Sequence, residues 1–445
     1  MPGSAFDTPA TYAVIGAGPT GLAAARNLQK AGLPWSGYEL NSGVGGLWDI
    51  DAPRSTMYNS AHLISSKTTT EFTEFPMAAA VADYPSHREL RAYFNAYADR
   101  FTLRDGFSFS TEVTEIKQDG DDGWLVTSTG PEGTRTRRHA GVLIANGTLS
   151  EPAVPTFRGS FNGELFHTSA YKSAQVFAGK RVLIIGAGNS GCDIAVDAVH
   201  YAASVDISVR RGYYFVPKYL FGRPADTLNQ GKPLPARIKQ AIDSRVLKLF
   251  TGDPVRFGFP KPDYKIYESH PVVNSLVLHH VGHGDITVRG DVDRFDGDSV
   301  RFVAGSHGDY DQIVLATGYH LHYPFVDPAA LDWAGPGSGT SPDLYLNIFP
   351  RSTPNLFVLG MVEASGLGWQ GRFEQAELVA SYLRAQREAP ERARTFAARL
   401  AGPRPDLTGG YRYLGLERMS YYVNKDAYRS AVRAATATLT EGEPR

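Results

Sequence analysis

A chain of 445 residues, 42% hydrophobic and 20% charged, is long enough for two cores and too apolar to be disordered. Its formal net charge of −1 argues against nucleic acid, an anionic membrane surface or an acidic macromolecule as partner, and leaves small molecules. The single cysteine, Cys192, cannot form an internal disulfide, which fits a reducing compartment and excludes reductases that work through a cysteine pair.

No apolar run reaches the roughly 18 residues that a spanning helix needs. Residues 14–25 are apolar and rich in small side chains, but no Lys or Arg precedes them, so a signal peptide is not expected. Residues 436–445 are polar and offer no hydrophobic anchor. The expectation is a soluble, cytoplasmic protein, and a homodimer if it self-associates.

In chain order, Tyr12–Ile15 reads as a short buried strand that runs into Gly16-Ala17-Gly18-Pro19-Thr20-Gly21. An Ala- and Leu-rich helical stretch follows to Lys30, with Gly32 placed to end it. A second apolar run over residues 35–40 carries Glu39, which completes a βαβ unit. Gly45-Gly46-Leu47-Trp48 comes soon after. Gly141–Ile144 is a further strand, ending in Ala145-Asn146-Gly147, and Pro152-Ala153-Val154-Pro155 reads as a linker.

The βαβ pattern then returns. Arg181–Ile185 leads into Gly186-Ala187-Gly188-Asn189-Ser190-Gly191, a helical stretch through His200 and a strand over 205–209. The two glycine fingerprints stand about one domain length apart. Residues 212–271 are irregular and rich in proline and aromatics, with an amphipathic helix expected over 236–249; this reads as an insertion covering the site. Strands over 313–315 and 355–359 end at Ala316-Thr317-Gly318 and Gly360, where glycine lets backbone approach a ligand.

In the first fingerprint Gly16 permits the tight turn, Gly18 lets backbone reach a pyrophosphate, and Gly21 lets helix pack on strand. Pro19 and Thr20 open the helix whose N–H groups meet the phosphates. Glu39 is placed to accept from ribose hydroxyls. The second fingerprint has no acid at the end of its next strand, which reads Val209-Arg210-Arg211-Gly212. Two guanidiniums there suit a 2′-phosphate and favour NADPH over NADH, the alternative being a solvated pair.

Other candidates have plainer readings beside them. Trp48 packs beside a flat ligand or belongs to the core. His167 is a structural, hydrogen-bonded histidine that organises two domains rather than a proton carrier. His279, His280 and His283 show no companion carboxylate or cysteine in their spacing, so no metal is expected. Cys192 packs under the cofactor turn, although a helix start is able to lower a thiol pKa. Neither GxSxG nor HExxH occurs. Phe215, Tyr219, Phe221 and Trp369 are candidate pocket walls.

Taken together and in order, these motifs resemble the flavin-containing monooxygenase family, of class B flavoprotein monooxygenases, in a soluble, bacterial-type member. The resemblance rests on Gly16-x-Gly18-x-x-Gly21, Glu39, Gly45-Gly46-Leu47-Trp48, Phe161-x-Gly163-x-x-x-His167-x-x-x-Tyr171, Gly186-x-Gly188-Asn189-Ser190-Gly191 and Leu315-Ala316-Thr317-Gly318-Tyr319. It spans nearly the whole chain. The Phe161 to Tyr171 pattern is the family's own, with a variant in Baeyer–Villiger monooxygenases that usually differs at Tyr171.

The resemblance implies FAD, NADPH/NADP+ and O2 as co-substrate. NADPH reduces FAD, O2 adds to give a C4a-(hydro)peroxyflavin, and bound NADP+ shields it until one oxygen passes to an amine nitrogen or sulfide sulfur. The cofactors carry the hard chemistry, so no acid–base triad is required. Carried over by position, residues 16–21 hold the FAD pyrophosphate and Glu39 its ribose, while Gly46, Leu47 and Trp48 line the flavin. Gly186, Gly188, Asn189, Ser190 and Gly191 meet the NADP pyrophosphate, and Arg210 and Arg211 its 2′-phosphate. Gly318, Gly360, Gln370 and Gln375 return to the flavin and its ribityl chain.

One position departs from the pattern. Many members carry an asparagine three residues before a lysine, against the flavin and NADP. Aligned on Lys67 that position is Ile64, which donates no hydrogen bond. Ser65, Ser66 and His62 are the candidates to replace it, with Asn59 in a shifted register, and Asn189 is a further catalytic candidate. Two other functions remain open. One is Baeyer–Villiger oxygenation of a ketone, with Arg54 or Arg372 as the stabilising cation. The other is a non-catalytic, redox-sensing flavoprotein.

The expected fold is α/β, with two doubly wound, Rossmann-like dinucleotide-binding domains. The FAD domain takes residues 1–150 and 310–445, and the NADPH domain, 151–309, is inserted into it.

Overall fold

The computed structural model describes residues 11–120, 123–229 and 233–441. Two five-stranded parallel sheets organise the chain. The first runs in the order Leu356–Val358, Gly141–Ile144, Tyr12–Ile15, Trp35–Tyr38, Phe107–Ser108. Its central strands are short apolar runs buried on both faces, as parallel strands covered by helices must be. The helix Pro19–Lys30 covers one face and packs on the long helix Gly368–Glu388.

The second sheet repeats this plan in the order Glu164–His167, Gln312–Leu315, Arg181–Ile185, Ser204–Ser208, Ile286–Arg289, again all parallel. In each sheet the fingerprint strand is central. In each, the strand beside it arrives from a three-stranded antiparallel meander, built from Glu112–Asp119, Gly123–Gly130 and Gly133–His139 in one case. Val292–Asp296, Ser299–Phe302 and His307–Asp309 form the other. The edge strand differs in origin: it follows everything else in the first sheet and precedes the fingerprint in the second. The second fold is therefore inserted into the first.

The two crossovers lie side by side. Glu151–Pro152 pairs antiparallel with Tyr319–His320, and Ala153 N–H donates to Gly318 O. The expected boundary at 309/310 falls before Gln312–Leu315, yet that strand is sandwiched between Arg181–Ile185 and Glu164–His167. The chain leaves the second sheet only after Leu315.

The irregular region 212–271 does contain a helix, Ala236–Thr251, and also a small ribbon of Tyr219–Leu220 with Arg223–Pro224. At the C-terminal end, the helix Lys425–Thr440 is pinned to Gly368–Glu388 by Glu374, which is buried and accepts from Arg429 and Arg433. Glu374→Ala removes a buried charge-assisted acceptor while both arginines keep some access to water. A loss of about 2 kcal/mol is expected, read as a lower urea midpoint with faster proteolysis near residue 425. Among the described residues, no helix is long and apolar enough to cross a membrane.

Candidate functional site

The first fingerprint turn is fixed by contact distance. A Cβ on Gly21 would lie 1.8 Å from the carbonyl oxygen of Gly16, so only glycine lets the helix start this close to the strand. The second fingerprint repeats it, with a Cβ on Gly191 falling 2.0 Å from Gly186 O. Both helices thus begin with free N–H groups directed beyond the sheet's C-terminal edge. Beside the first turn, Glu39 is 4% exposed and accepts from the backbone N–H groups of Ala17 and Asn41. Burial pushes its carboxyl up, and those two hydrogen bonds pull it back. Its remaining lone pairs face a cavity.

That cavity has a volume of about 1020 Å³. Gly16, Gly18, Pro19, Thr20, Glu39, Gly46, Leu47, Trp48 and Gly360 all line it, so the structure brings together the whole first group of expected cofactor residues except Gly21, Gly318, Gln370 and Gln375. Gly21 acts behind the wall, as its packing role requires. Gly318 is a correction: it sits in the crossover, bonded to Ala153, and does not reach the cavity. Gln370 and Gln375 are also displaced from their expected role. Gln370 accepts from Thr73 N–H at 2.9 Å. The fully buried Gln375 accepts from Gly360 N–H at 2.9 Å and donates to Tyr428, so it holds the Gly360 turn from behind.

The candidates around Ile64 separate in the same way. Ile64 and Ser65 line the cavity, and Ser65 Oγ shares a 2.7 Å hydrogen bond with Thr70 Oγ1. Ser66 is buried outside it, its N–H donating to Asp226 of the insertion at 2.7 Å. His62 is exposed, its Nδ1 2.8 Å from Ser60 O. Neither supplies a group to the cavity.

None of Gly186, Gly188, Asn189, Ser190, Gly191, Arg210 and Arg211 lines this cavity. Asn189 is a correction as a catalytic candidate. Its Oδ1 accepts from Val273 N–H at 2.7 Å, which ties down a loop whose Pro271 and Val273 do line the cavity. Arg211 stands 3.4 Å from Asp263 with 39% of its side chain accessible, and Arg210 is exposed.

His167 packs edge-on against Tyr319 of the crossover, 5.1 Å between ring centres, and its Nδ1 accepts from Ser169 N–H. Burial pushes its pKa down, against a smaller upward pull from the Gly318 backbone. Next to it, Lys172 Nζ donates to Ser55 O and Met57 O, at 2.7 and 3.1 Å. Tyr58 and Tyr171 donate to Asp193 and Asp197 of the second fingerprint's helix. The bonds of Lys172 and Tyr58 join the two folds, that of Tyr171 lies within the second, and nothing in the spacing of Tyr58 or Asp193 announced the joint. Cys192 is fully buried in that helix, and burial pushes its thiol up, away from reactivity.

Of the candidate walls, Phe221 and Trp369 line the cavity, Trp369 edge-on to Trp48. Phe215 is instead in the core at 1% exposure, and Tyr219 points outward to Asp83. No regular alternation runs through so irregular a segment, so its pattern does not sort inward from outward aromatics. Arg54 and Arg372 also line the cavity. Arg54 faces Glu112 at 3.5 Å, and Arg372 spends its fork on Gly368 O and Val362 O.

One wall is announced by no motif. Glu363, Ser365, His270, Arg418 and Tyr422 come from three distant segments and line the cavity together. Arg418 stands 3.3 Å from Glu363, whose carboxyl is raised by burial but more strongly lowered by Arg418 and Arg372, for a net downward shift. Tyr422 Oη bridges Ser365 Oγ at 3.0 Å and His270 Nδ1 at 3.2 Å. Burial, helped by Arg418, pushes His270 down to about 4.

Away from the cavity, a carboxylate does accompany the histidines, contrary to their spacing. Gly284, at φ +85°, ends their helix and turns Asp285 back to 2.9 Å from His280 and 3.8 Å from His283. His279 is not part of the group. The trio, half-buried at His280 and exposed at the other two, is explained as a carboxylate held by the histidines at a helix end.

The chain matches the family model described as flavin-binding monooxygenase-like over residues 10–397. It is 30% identical over 378 residues to flavin-containing monooxygenase 5 of Mus musculus, covering 80% of this chain and 69% of that one. It is 32% identical over 322 residues to indole-3-pyruvate monooxygenase YUCCA1 of Oryza sativa subsp. japonica, covering 70% and 77%. Among solved structures it resembles the closed form of cyclohexanone monooxygenase with a TM-score of 0.72 at 19% identity, covering 97% and 98%.

Proposed function

Because the chain belongs to the flavin-binding monooxygenase-like family, we propose that it transfers one atom of O2 to a soft nitrogen or sulfur nucleophile of a small molecule. It is a flavin-dependent monooxygenase with FAD and NADP(H) as cofactors and O2 as co-substrate. One observation carries the finer reading. The glycine turn, Glu39 and the apolar side chains Val216, Leu220 and Leu247 of the insertion all border a single cavity, which seats a nucleotide and a small apolar substrate in one chamber.

The residues fit the cofactors. Gly21 and Glu39 shape a cradle for an adenine dinucleotide, and we assign FAD there and NADPH to the second fingerprint. The proposed FAD unit is the first sheet with its flanking chain, and the ribbon of residues 151–152 and 319–320 is the double hinge to the NADPH unit. Bound flavin supplies hydride acceptance and O2 activation. The protein orients and dehydrates: Trp48 and Trp369 form an aromatic wall, the insertion excludes water, and Ser65 Oγ offers the hydrogen bond that Ile64 does not.

The test is stopped-flow absorbance of NADPH-reduced holoenzyme mixed with O2. A long-lived band distinct from oxidised and reduced flavin is expected. Ser65→Ala is expected to shorten its lifetime about tenfold, and Ile64→Asn to lengthen it, the scale of one hydrogen bond to a charged group. Immediate reoxidation with stoichiometric peroxide, and no sulfoxide from a methyl sulfide, would sink the reading. Ester formed from a cyclic ketone without sulfoxide would favour Baeyer–Villiger chemistry, with Arg54 or Arg372 as the candidate cation.

A further inference from the structure

We infer that Arg418, His270 and Tyr422 form a subsite for a carboxylate on the substrate, so that the preferred substrate carries both the soft nucleophile and an acid group. This rests on the monooxygenase reading for its chemistry, but not for the binding itself.

The charge balance comes first. Arg372 and Arg418 share one carboxylate, Glu363, which leaves this part of the wall positive. Lys425 and Asp426 also border the cavity and offset one another. The two guanidiniums differ in availability. Arg372 has committed its fork to the carbonyls of Gly368 and Val362. Among the described residues Arg418 is hydrogen-bonded to Glu363 alone, through Nη2 at 3.3 Å, and 44% of its side chain is accessible. Its planar fork is therefore available for a bidentate carboxylate.

The second observation is independent. His270 Nε2 is buried in the same wall without a hydrogen-bond partner. Such an atom is costly unless a ligand satisfies it. Its other nitrogen is engaged with Tyr422 Oη, which also meets Ser365. With Tyr422 donating to Nδ1, the neutral ring keeps its proton on Nε2, which a ligand oxygen settling against this wall would satisfy. The adjoining wall from Val216, Leu247 and Ile266 is apolar, which suits a hydrocarbon linker between acid and nucleophile. On the proposed assignment the pyrophosphates of FAD and NADPH go to the two fingerprint turns, neither of which includes Arg418, His270 or Tyr422.

The experiment is calorimetric titration of oxidised, FAD-loaded enzyme with hexanoate and with its isostere hexanamide. Hexanoate is expected to bind about tenfold more tightly. Arg418→Gln should bring the two within about twofold of each other, and Arg418→Lys should restore part of the preference. Equal wild-type affinities, a comparison that needs no variant, overturn the subsite, as does a preference that survives Arg418→Gln. Oxygenation of 5-(methylthio)pentanoate and its methyl ester separates this from the activity. Ester and acid oxidised equally well remove the subsite and leave the monooxygenase. Arg418-dependent hexanoate binding without oxygenation of either sulfide keeps the subsite and removes the N- or S-oxygenation reading.

Discussion

Gly21→Ala is expected to yield protein without flavin, its flavin-to-protein ratio falling from about one to below about 0.1, the scale of a 1.4 kcal/mol or larger loss per tenfold. The new methyl would stand 1.8 Å from Gly16 O and 2.8 Å from Gly16 C. These are backbone atoms, so no side chain rotates out of the way. The helix Pro19–Lys30 cannot retreat, because Gly368–Glu388 packs against its outer face. The turn itself must open, and with it go the N–H groups aimed at the pyrophosphate.

Gly191→Ala places the same strain in the other fold, with its methyl 2.0 Å from Gly186 O and 3.0 Å from Ala316 Cβ. Here flavin is expected to stay bound and to be reduced normally by dithionite, while reduction by NADPH slows about a hundredfold, the worth of roughly 2.7 kcal/mol. Flavin content and the two reduction rates, measured on both variants, assign one nucleotide to each fingerprint. Full flavin in Gly21→Ala, or flavin lost equally from both, would remove that assignment.

These two turns were legible in the sequence because their geometry is local. Strand, glycine turn and helix span some twenty residues, and the steric reason for Gly21 and for Gly191 lies only five positions away. Glu39 was legible for the same reason, at the end of the paired strand. What the sequence hid depends on contacts across long separations. The bond between His270 and Tyr422 joins positions 152 apart, and the one from Gln240 to Ile266 shapes an insertion with no repeating pattern to read. Gln375 and Asn189 lie in the expected neighbourhoods but turn the other way, since an amide serves equally well to hold backbone or to meet a ligand. Gly318 misled because a glycine after a buried strand marks a crossover as readily as a cofactor loop.

The choice between coenzymes is the sharpest remaining consequence of the second fold. Strand Ser204–Ser208 delivers Arg210 and Arg211 past its end, and neither is buried. The double variant Arg210→Ser/Arg211→Ser is expected to weaken NADPH about a hundredfold, two charge-assisted contacts of 1.5–3 kcal/mol being partly offset by solvent. NADH, which lacks the 2′-phosphate, should change by less than about twofold. The two arginines are not equal. Asp263 lies 3.4 Å from Arg211 and competes with a phosphate for it. Arg210 should therefore account for most of the loss, and Asp263→Asn should tighten NADPH a few-fold by freeing Arg211, within the roughly 1 kcal/mol of an exposed pair. The readout is the concentration dependence of anaerobic flavin reduction by each coenzyme. An unchanged NADPH-to-NADH ratio in the double variant would place phosphate recognition elsewhere. A ratio that collapses only when Arg211 is lost would mean that Asp263 orients that guanidinium instead of competing for it.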